Sequence, residues 1–151
     1  DLHRPRHADR CDSSCYDCLR DYYNMAYHPL LDWRLGEDLF ALLAGETVDI
    51  SRAATREREL AESFADNFGG EAISLEADVS AVKLGRRLIV ITHPLESHEL
   101  EWAATDRLAT AIADAEDQGL GTADHDIVLE DSFTMLRLPG DIASRHLADV
   151  G

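Results

Sequence analysis

The sequence predicts an α/β (α+β) chain. A cysteine-bearing loop with helices occupies residues 1–46, and residues 47–151 follow the order helix, three strands, helix, strand. Three observations predict this. Apolar residues recur at three- and four-residue spacing over 30–43, 51–68 and 98–117, which places them on one face of a helix. Between 72 and 92, and again at 126–129, that period gives way to short apolar runs typical of strands. Finally, all three cysteines lie in a near-neutral stretch of 34 residues, and the remaining 35–151 portion is strongly acidic.

In chain order, residues 1–18 read as a polar loop and 19–27 as a short helix interrupted at Pro29. Leu30, Leu31, Leu35, Leu39, Phe40, Leu42 and Leu43 then mark a packing helix that Gly45 ends. A second helix runs from Ser51 to Phe68 with Ala53, Leu60, Phe64 and Phe68 inward, and Gly69-Gly70 stops it. Residues 72–75, 79–84 and 87–92 read as three strands, the last two joined at Gly85-Arg86 as a hairpin. Leu88-Ile89-Val90-Ile91 is a continuous apolar run, as expected of a central strand covered on both faces. Helical spacing returns over 98–117, a last strand covers 126–129, and a turn is expected at Pro139-Gly140. That order implies a sheet with helices packed against it.

The 151 residues are 45% apolar, enough for a real core. Fourteen basic residues against 30 acidic ones leave a net charge of −16, which repels nucleic acid and excludes a general polyanion binder. Residues 1–34 carry a net −1 and residues 35–151 a net −15, so two parts with different surfaces are expected. The composition is 18 Asp to 12 Glu and 13 Arg to the single Lys83, a skew that suits the concentrated salt of a halophilic cytosol and also arises in a high-GC genome. Without a long apolar run or an apolar leader, the chain is expected to be cytoplasmic, with no membrane partner; its polar, Met-less opening suggests a fragment of a longer polypeptide. Lys83 lies between Val82 and Leu84, so no phosphate-cradling loop is present. Zinc-protease and serine-hydrolase patterns are absent too.

The strongest chemical signal is Cys11-x3-Cys15-x2-Cys18. Thiolates so spaced on a turn can converge on one tetrahedral ion, and Zn2+ favours sulfur ligands. A disulfide plus a free thiol is the competing arrangement, disfavoured in a reducing compartment. A redox role for Cys15-x2-Cys18 lacks the preceding strand of thioredoxin-like sites. The fourth ligand is open: Asp9, His7 and His3 lie upstream, His28 lies downstream, and a cysteine from a preceding segment would also serve. Tyr22, Asn24, His28 and Asp32 either support the thiolates by hydrogen bonds or cap and pack the junction with the helix. Arg10, Arg20 and Arg34, with Arg4 and Arg6, form the one surface suited to phosphate contacts, unless they pair with nearby Asp. Trp33 and Trp102 read as core.

The 24 residues Cys11-Asp-Ser-Ser-Cys15-Tyr16-Asp-Cys18-Leu19-Arg20-Asp-Tyr22-Tyr-Asn24-Met-Ala-Tyr-His28-Pro-Leu30-Leu31-Asp32-Trp-Arg34 closely resemble the signature of the MrfA-type zinc-binding domain. That domain lies at the C-terminal end of certain DEAD/DEAH-box helicases and of related phage-defence proteins. The resemblance implies a non-catalytic accessory module of a superfamily 2 DNA helicase in DNA repair or phage defence. ATP hydrolysis would then belong to helicase core domains on the same or a partner chain, and DNA would be met through the helicase. Two departures stand out. Where the family commonly has a cysteine this chain has Asp9, and where it has Gln this chain has Met25. Asp9 oxygen would then complete the metal site.

The order helix, three strands, helix, strand is also similar to the core of restriction-endonuclease-like nucleases. Glu76, Asp78 and Lys83 fall in the region where such enzymes hold a metal, but Ala81 stands where the Asp/Glu of Asp/Glu-x-Lys would be. A core of that kind is therefore expected to be degenerate and without catalysis. An active metal-dependent nuclease and a stand-alone adaptor that docks on a helicase are the alternatives.

Overall fold

A computed structural model describes residues 5–96, 106–122 and 126–148. The chain divides into two compact units, Asp1–Asp49 and Ile50–Gly151, so the division falls three residues beyond the expected 46. No helix among the described residues is long and apolar enough to cross a membrane.

The first unit holds a short helix α1 (Pro5–Ala8), a loop with the three cysteines, a 3-10 segment (Tyr22–Leu30) and helix α2 (Trp33–Leu43). The expected helix at 19–27 is thus a 3-10 run shifted toward the C-terminus, kinked at Asn24 and carrying Pro29 inside it. Asp32 caps α2 by accepting from the amides of Arg34 and Leu35, so the helix begins three residues later than the apolar spacing suggested. Its apolar residues do not all pack. Trp33 is buried, while Leu39, Phe40, Leu42 and Leu43 are exposed.

The second unit is a mixed α+β layer. A 3-10 turn (Ile50–Ala53) leads into helix α3 (Ala54–Phe68), then strands β1 (Glu71–Leu75), β2 (Val79–Leu84) and β3 (Arg87–Thr92). Helix α4 (Asp106–Asp117), strand β4 (Ile127–Asp131) and helices α5 (Ser132–Arg137) and α6 (Pro139–Ala148) complete it. Trp102, His98 and the start of the expected 98–117 helix lie outside the described residues. The sheet order is β1-β2-β3-β4, with β1, β2 and β3 antiparallel and β4 parallel to β3. Leu88 pairs with Ile127 and Thr92 with Asp131.

The alternation of a strand splits the core across the sheet. Val82, Leu84, Ile89 and Ile91 face α3, α5 and α6, where Phe64, Met135 and Ile142 meet them. Val79, Ala81, Leu88 and Val90 face α4, which presents Leu108, Ala111 and Ala115. Each fully buried aliphatic side chain removed from water here contributes about 1.5–3 kcal/mol. Strand β3 is covered on both faces, as its unbroken apolar run required.

Two glycines are required where they stand. At Gly85 the hairpin backbone has a φ of 60°, a region that side chains disfavour. A Cβ on Gly70 would lie 2.9 Å from the Lys83 carbonyl and from Val82 Cγ1, so only glycine lets the chain pass β2. Pro139-Gly140, expected as a turn, instead opens α6. Proline is tolerated in the first helical turn because the N–H it lacks would have no partner there. Two successive non-glycine residues, Ala77 and Asp78, are left-handed at φ 56° and 54° between β1 and β2.

Candidate metal centre

Residues 11–20 fold into a turn around one carbonyl. The Cys15 oxygen accepts from the amides of Cys18, Leu19 and Arg20 at 3.1, 3.2 and 2.9 Å. That winding brings Cys18 back so that its Sγ receives the Cys15 amide at 3.1 Å. Helix α1 carries His7, whose Nε2 meets Cys15 Sγ.

The result is one group: His7, Cys11, Cys15 and Cys18 place a ligand atom each within 4.8 Å of one another, able to hold a metal ion. Cys11 Sγ and Cys18 Sγ are 3.8 Å apart, and Cys15 Sγ lies 3.5 Å from His7 Nε2. All three cysteines are free thiols. Among the described residues this is the one group of three or more His, Cys, Asp or Glu side chains so disposed.

The thiols influence one another's ionisation. Burial pushes the Cys11 thiol up to about 12, with hydrogen bonds to Cys15 and Cys18 and their charges adding to the effect. The Cys15 thiol moves the other way. Desolvation opposes its ionisation, yet the Asp17 amide, His7 and the two other thiols together bring it down to about 7. One sulfur therefore ionises near neutrality while a neighbour holds its proton, and a divalent ion compensates the charge of several thiolates at once.

The ligand-bearing loop is clamped from α2. Trp33 Nε1 donates to the Cys11 carbonyl at 3.0 Å, and the Trp33 amide donates to the Ser13 carbonyl at 2.8 Å. The Arg34 guanidinium donates to the carbonyls of Cys11, Asp12 and Ala8 and lies over the Trp33 ring, 4.4 Å from its centroid. His7 packs edge-on against the same ring at 5.5 Å. The His7 Nδ1 is buried without a hydrogen-bond partner, so this ring contact, rather than a bond at Nδ1, sets the imidazole orientation.

The other sequence candidates fall as follows. Asp9 is exposed and stands outside the metal-ligand group, where His7 takes the fourth position. His3 lies outside the described residues. His28 donates through Nε2 to Asn24 Oδ1 at 2.9 Å and to the Asp21 carbonyl at 3.0 Å, not to a metal ligand. Asn24 accepts from the Asp21 amide and donates to the Leu19 carbonyl, both at 2.8 Å, and Asp32 caps α2. Asn24 and Asp32 therefore take part in helix caps, and His28 bonds back onto the first of them. Tyr22 is exposed. Arg10 is exposed, Arg20 Nε donates to Ser14 Oγ at 2.9 Å, and Arg34 is taken up by the loop carbonyls.

In the second unit, Lys83 lies on β2 and Glu76 and Asp78 on the turn before it, with no metal-ligand group around them among the described residues. Sequence reasoning missed a different cluster there. Arg107 of α4 bridges the buried carboxylates of Glu57 and Glu96 at 2.8 and 2.9 Å and also donates to the Asp78 carbonyl. Desolvation raises the Glu57 carboxyl above its usual 4.5 despite the opposing pull of Arg107. Glu130 likewise joins His146 and Arg145, at 2.8 and 3.0 Å. No short-range pattern could have revealed these, because 50 residues separate Glu57 from Arg107.

No family model, curated protein or solved structure matches the chain.

Proposed function

We propose that this chain is a zinc-bound accessory module of a superfamily 2 DEAD/DEAH-box DNA helicase, itself without catalysis. It would serve ATP-dependent unwinding or translocation in DNA repair or phage defence. The observation that carries the zinc assignment is the pair of spacings in the His7/Cys11/Cys15/Cys18 group. Tetrahedral bonds of about 2.3 Å to sulfur and about 2.0 Å to imidazole put two sulfurs about 3.8 Å apart and a sulfur and a nitrogen about 3.5 Å apart. The corresponding distances are 3.8 and 3.5 Å. Zinc in such a site supplies a crosslink rather than chemistry, because all four positions are protein ligands.

The helicase assignment is supported by the 24-residue likeness from Cys11 to Arg34, in which residues away from the ligands have structural work to do: Asn24 and His28 hold the 3-10 segment, Asp32 caps α2, and Arg34 fastens α2 to the loop. The test is DNA-stimulated ATP hydrolysis by the helicase encoded on the same gene or beside it. A Cys15→Ser/Cys18→Ser variant is expected to lower that rate severalfold. An unchanged rate with metal-free variant protein contradicts the proposal. The adaptor reading differs only in whether the ATPase shares the polypeptide.

As a second reading, we propose a degenerate restriction-endonuclease-like core for the second unit, which rests on its element order and its parallel β3–β4 pair. The absence of Asp/Glu-x-Lys argues for a core without cleavage activity. Magnesium-dependent DNA cleavage that disappears in Asp78→Ala would establish the opposite.

A further inference from the structure

All four tyrosines of the chain fall between residues 16 and 27, and none is used for packing. Tyr16, Tyr22, Tyr23 and Tyr27 are 67%, 75%, 93% and 62% exposed. The 3-10 segment that carries three of them buries no residue at all. Its shape comes from polar bonds instead: Asp21 caps the Tyr23 amide, Asn24 ties Asp21 to Leu19, and His28 returns to Asn24. Tyr22 and Tyr23 meet edge to face at 5.6 Å, and Tyr16 meets His28 in the same way. The rings are thus presented to water on an ordered backbone that does not need them. Large amphipathic rings held in that manner are characteristic of interface anchors.

The surrounding charge selects the partner. Asp17 and Asp21 are exposed within the same stretch as the four tyrosines. Of the described arginine side chains in this unit, Arg20 bonds Ser14 and Arg34 bonds backbone carbonyls, which leaves Arg10 as an exposed cation. Stacked bases would suit the rings, but a nucleic-acid strand also needs free cations along its phosphates. A guanidinium satisfies both parts of this surface, because it stacks on tyrosine faces and forms paired hydrogen bonds with carboxylates.

We propose that Tyr16, Tyr22, Tyr23 and Tyr27, with Asp17 and Asp21, form a docking surface for an arginine-rich polypeptide segment. This goes beyond the helicase reading and does not rest on it, since it requires the ordered 3-10 segment and no ATPase. The test measures binding of fluorescein-labelled nona-arginine and of a thymidine oligonucleotide to the whole metal-loaded chain. Salt is set at about 0.15 M, where charges beyond about 8 Å are screened. Tyr23→Ser/Tyr27→Ser leaves net charge unchanged and is expected to weaken peptide binding about fivefold or more. Glu59→Gln/Glu62→Gln removes two exposed charges that are not part of this surface and is expected to leave peptide binding within about twofold. Circular dichroism of each variant checks that the fold is retained. Should the tyrosine variant bind the peptide as the parent does, the attraction is net charge alone and the proposal is overturned. It is equally overturned by absence of peptide binding, or by an oligonucleotide that binds more tightly and displaces the peptide.

Discussion

The indole nitrogen of Trp33 donates to the carbonyl oxygen of Cys11 at 3.0 Å, joining the first residue of helix α2 to a member of the candidate metal site 22 positions earlier. Trp33 is 3% exposed, and its ring also backs His7. The helix and the ligand loop are therefore one mechanical piece, and disturbing either disturbs the other.

Trp33→Phe keeps an aromatic ring behind His7 and removes the donor, leaving the Cys11 carbonyl with Arg34 alone. A loss of about 1 kcal/mol in stability is expected for one buried hydrogen bond. Arg34→Met removes two donations to the loop and one to the end of α1, and is expected to weaken metal binding by about 10- to 100-fold, as loss of outer support does at other centres. Chemical denaturation of the metal-loaded chain measures the first, and competition with a chromophoric chelator the second. Unchanged metal affinity in Arg34→Met would show that the loop holds its shape without the helix.

Chelation is expected to act on one unit only. When the metal is removed, the amides of Cys18, Leu19 and Arg20, which bond to the Cys15 carbonyl, lose protection against hydrogen exchange. Those of Ile89 and Val90 in the buried strand β3 keep theirs. Loss of protection in β3 as well would contradict the division into separate compact units. Because Cys11 holds its proton up to about 12 without metal, binding must expel it, and the chelator-resistant fraction falls as pH falls.

Glu57 sets a different pH dependence. Its folded carboxyl titrates above the 4.5 of the unfolded chain because it is desolvated, with Arg107 offsetting only part of that cost. Between the two values the folded state binds more protons than the unfolded one, so this group's contribution falls as pH rises through that window. Glu57→Gln abolishes that slope. Urea midpoints measured from about pH 4.5 to 7 provide the check, and an identical slope in the variant would remove Glu57 from the account.

Ile89 is fully buried on the face shared by α3, α5 and α6. Ile89→Ala is expected to cost about 2–5 kcal/mol, the range for deleting a buried aliphatic side chain and leaving a cavity. A change below about 1 kcal/mol in chemical denaturation would mean that the helices close over the gap.

How much was legible in the sequence depended on whether the signal was local. The strands at 72–92 were visible because the apolar period changes there, and Leu88–Ile91 announced its own position at the centre of the sheet. Pro139 was ambiguous on physical grounds, since a fixed φ near −65° suits the start of a helix as well as a turn. The four apolar residues at the end of α2 satisfied helical spacing without being buried, because periodicity reports a face and not what covers it. His7 had a readable signal: it precedes Cys11 by four residues, as Cys11 precedes Cys15. The likeness to a cysteine at position 9 drew attention to Asp9 instead. The Glu57–Arg107–Glu96 knot was invisible, because only the folded sheet brings its members together.

The most direct measurement is metal content and X-ray absorption of chain purified without chelator, compared with His7→Ala and Asp9→Ala. One zinc per chain is expected, with three sulfur neighbours at about 2.3 Å and one nitrogen at about 2.0 Å. It should be lost or displaced in His7→Ala and retained in Asp9→Ala. Metal-free parent protein, or a zinc site that survives His7→Ala and vanishes in Asp9→Ala, would contradict the four-ligand centre on which the functional reading stands.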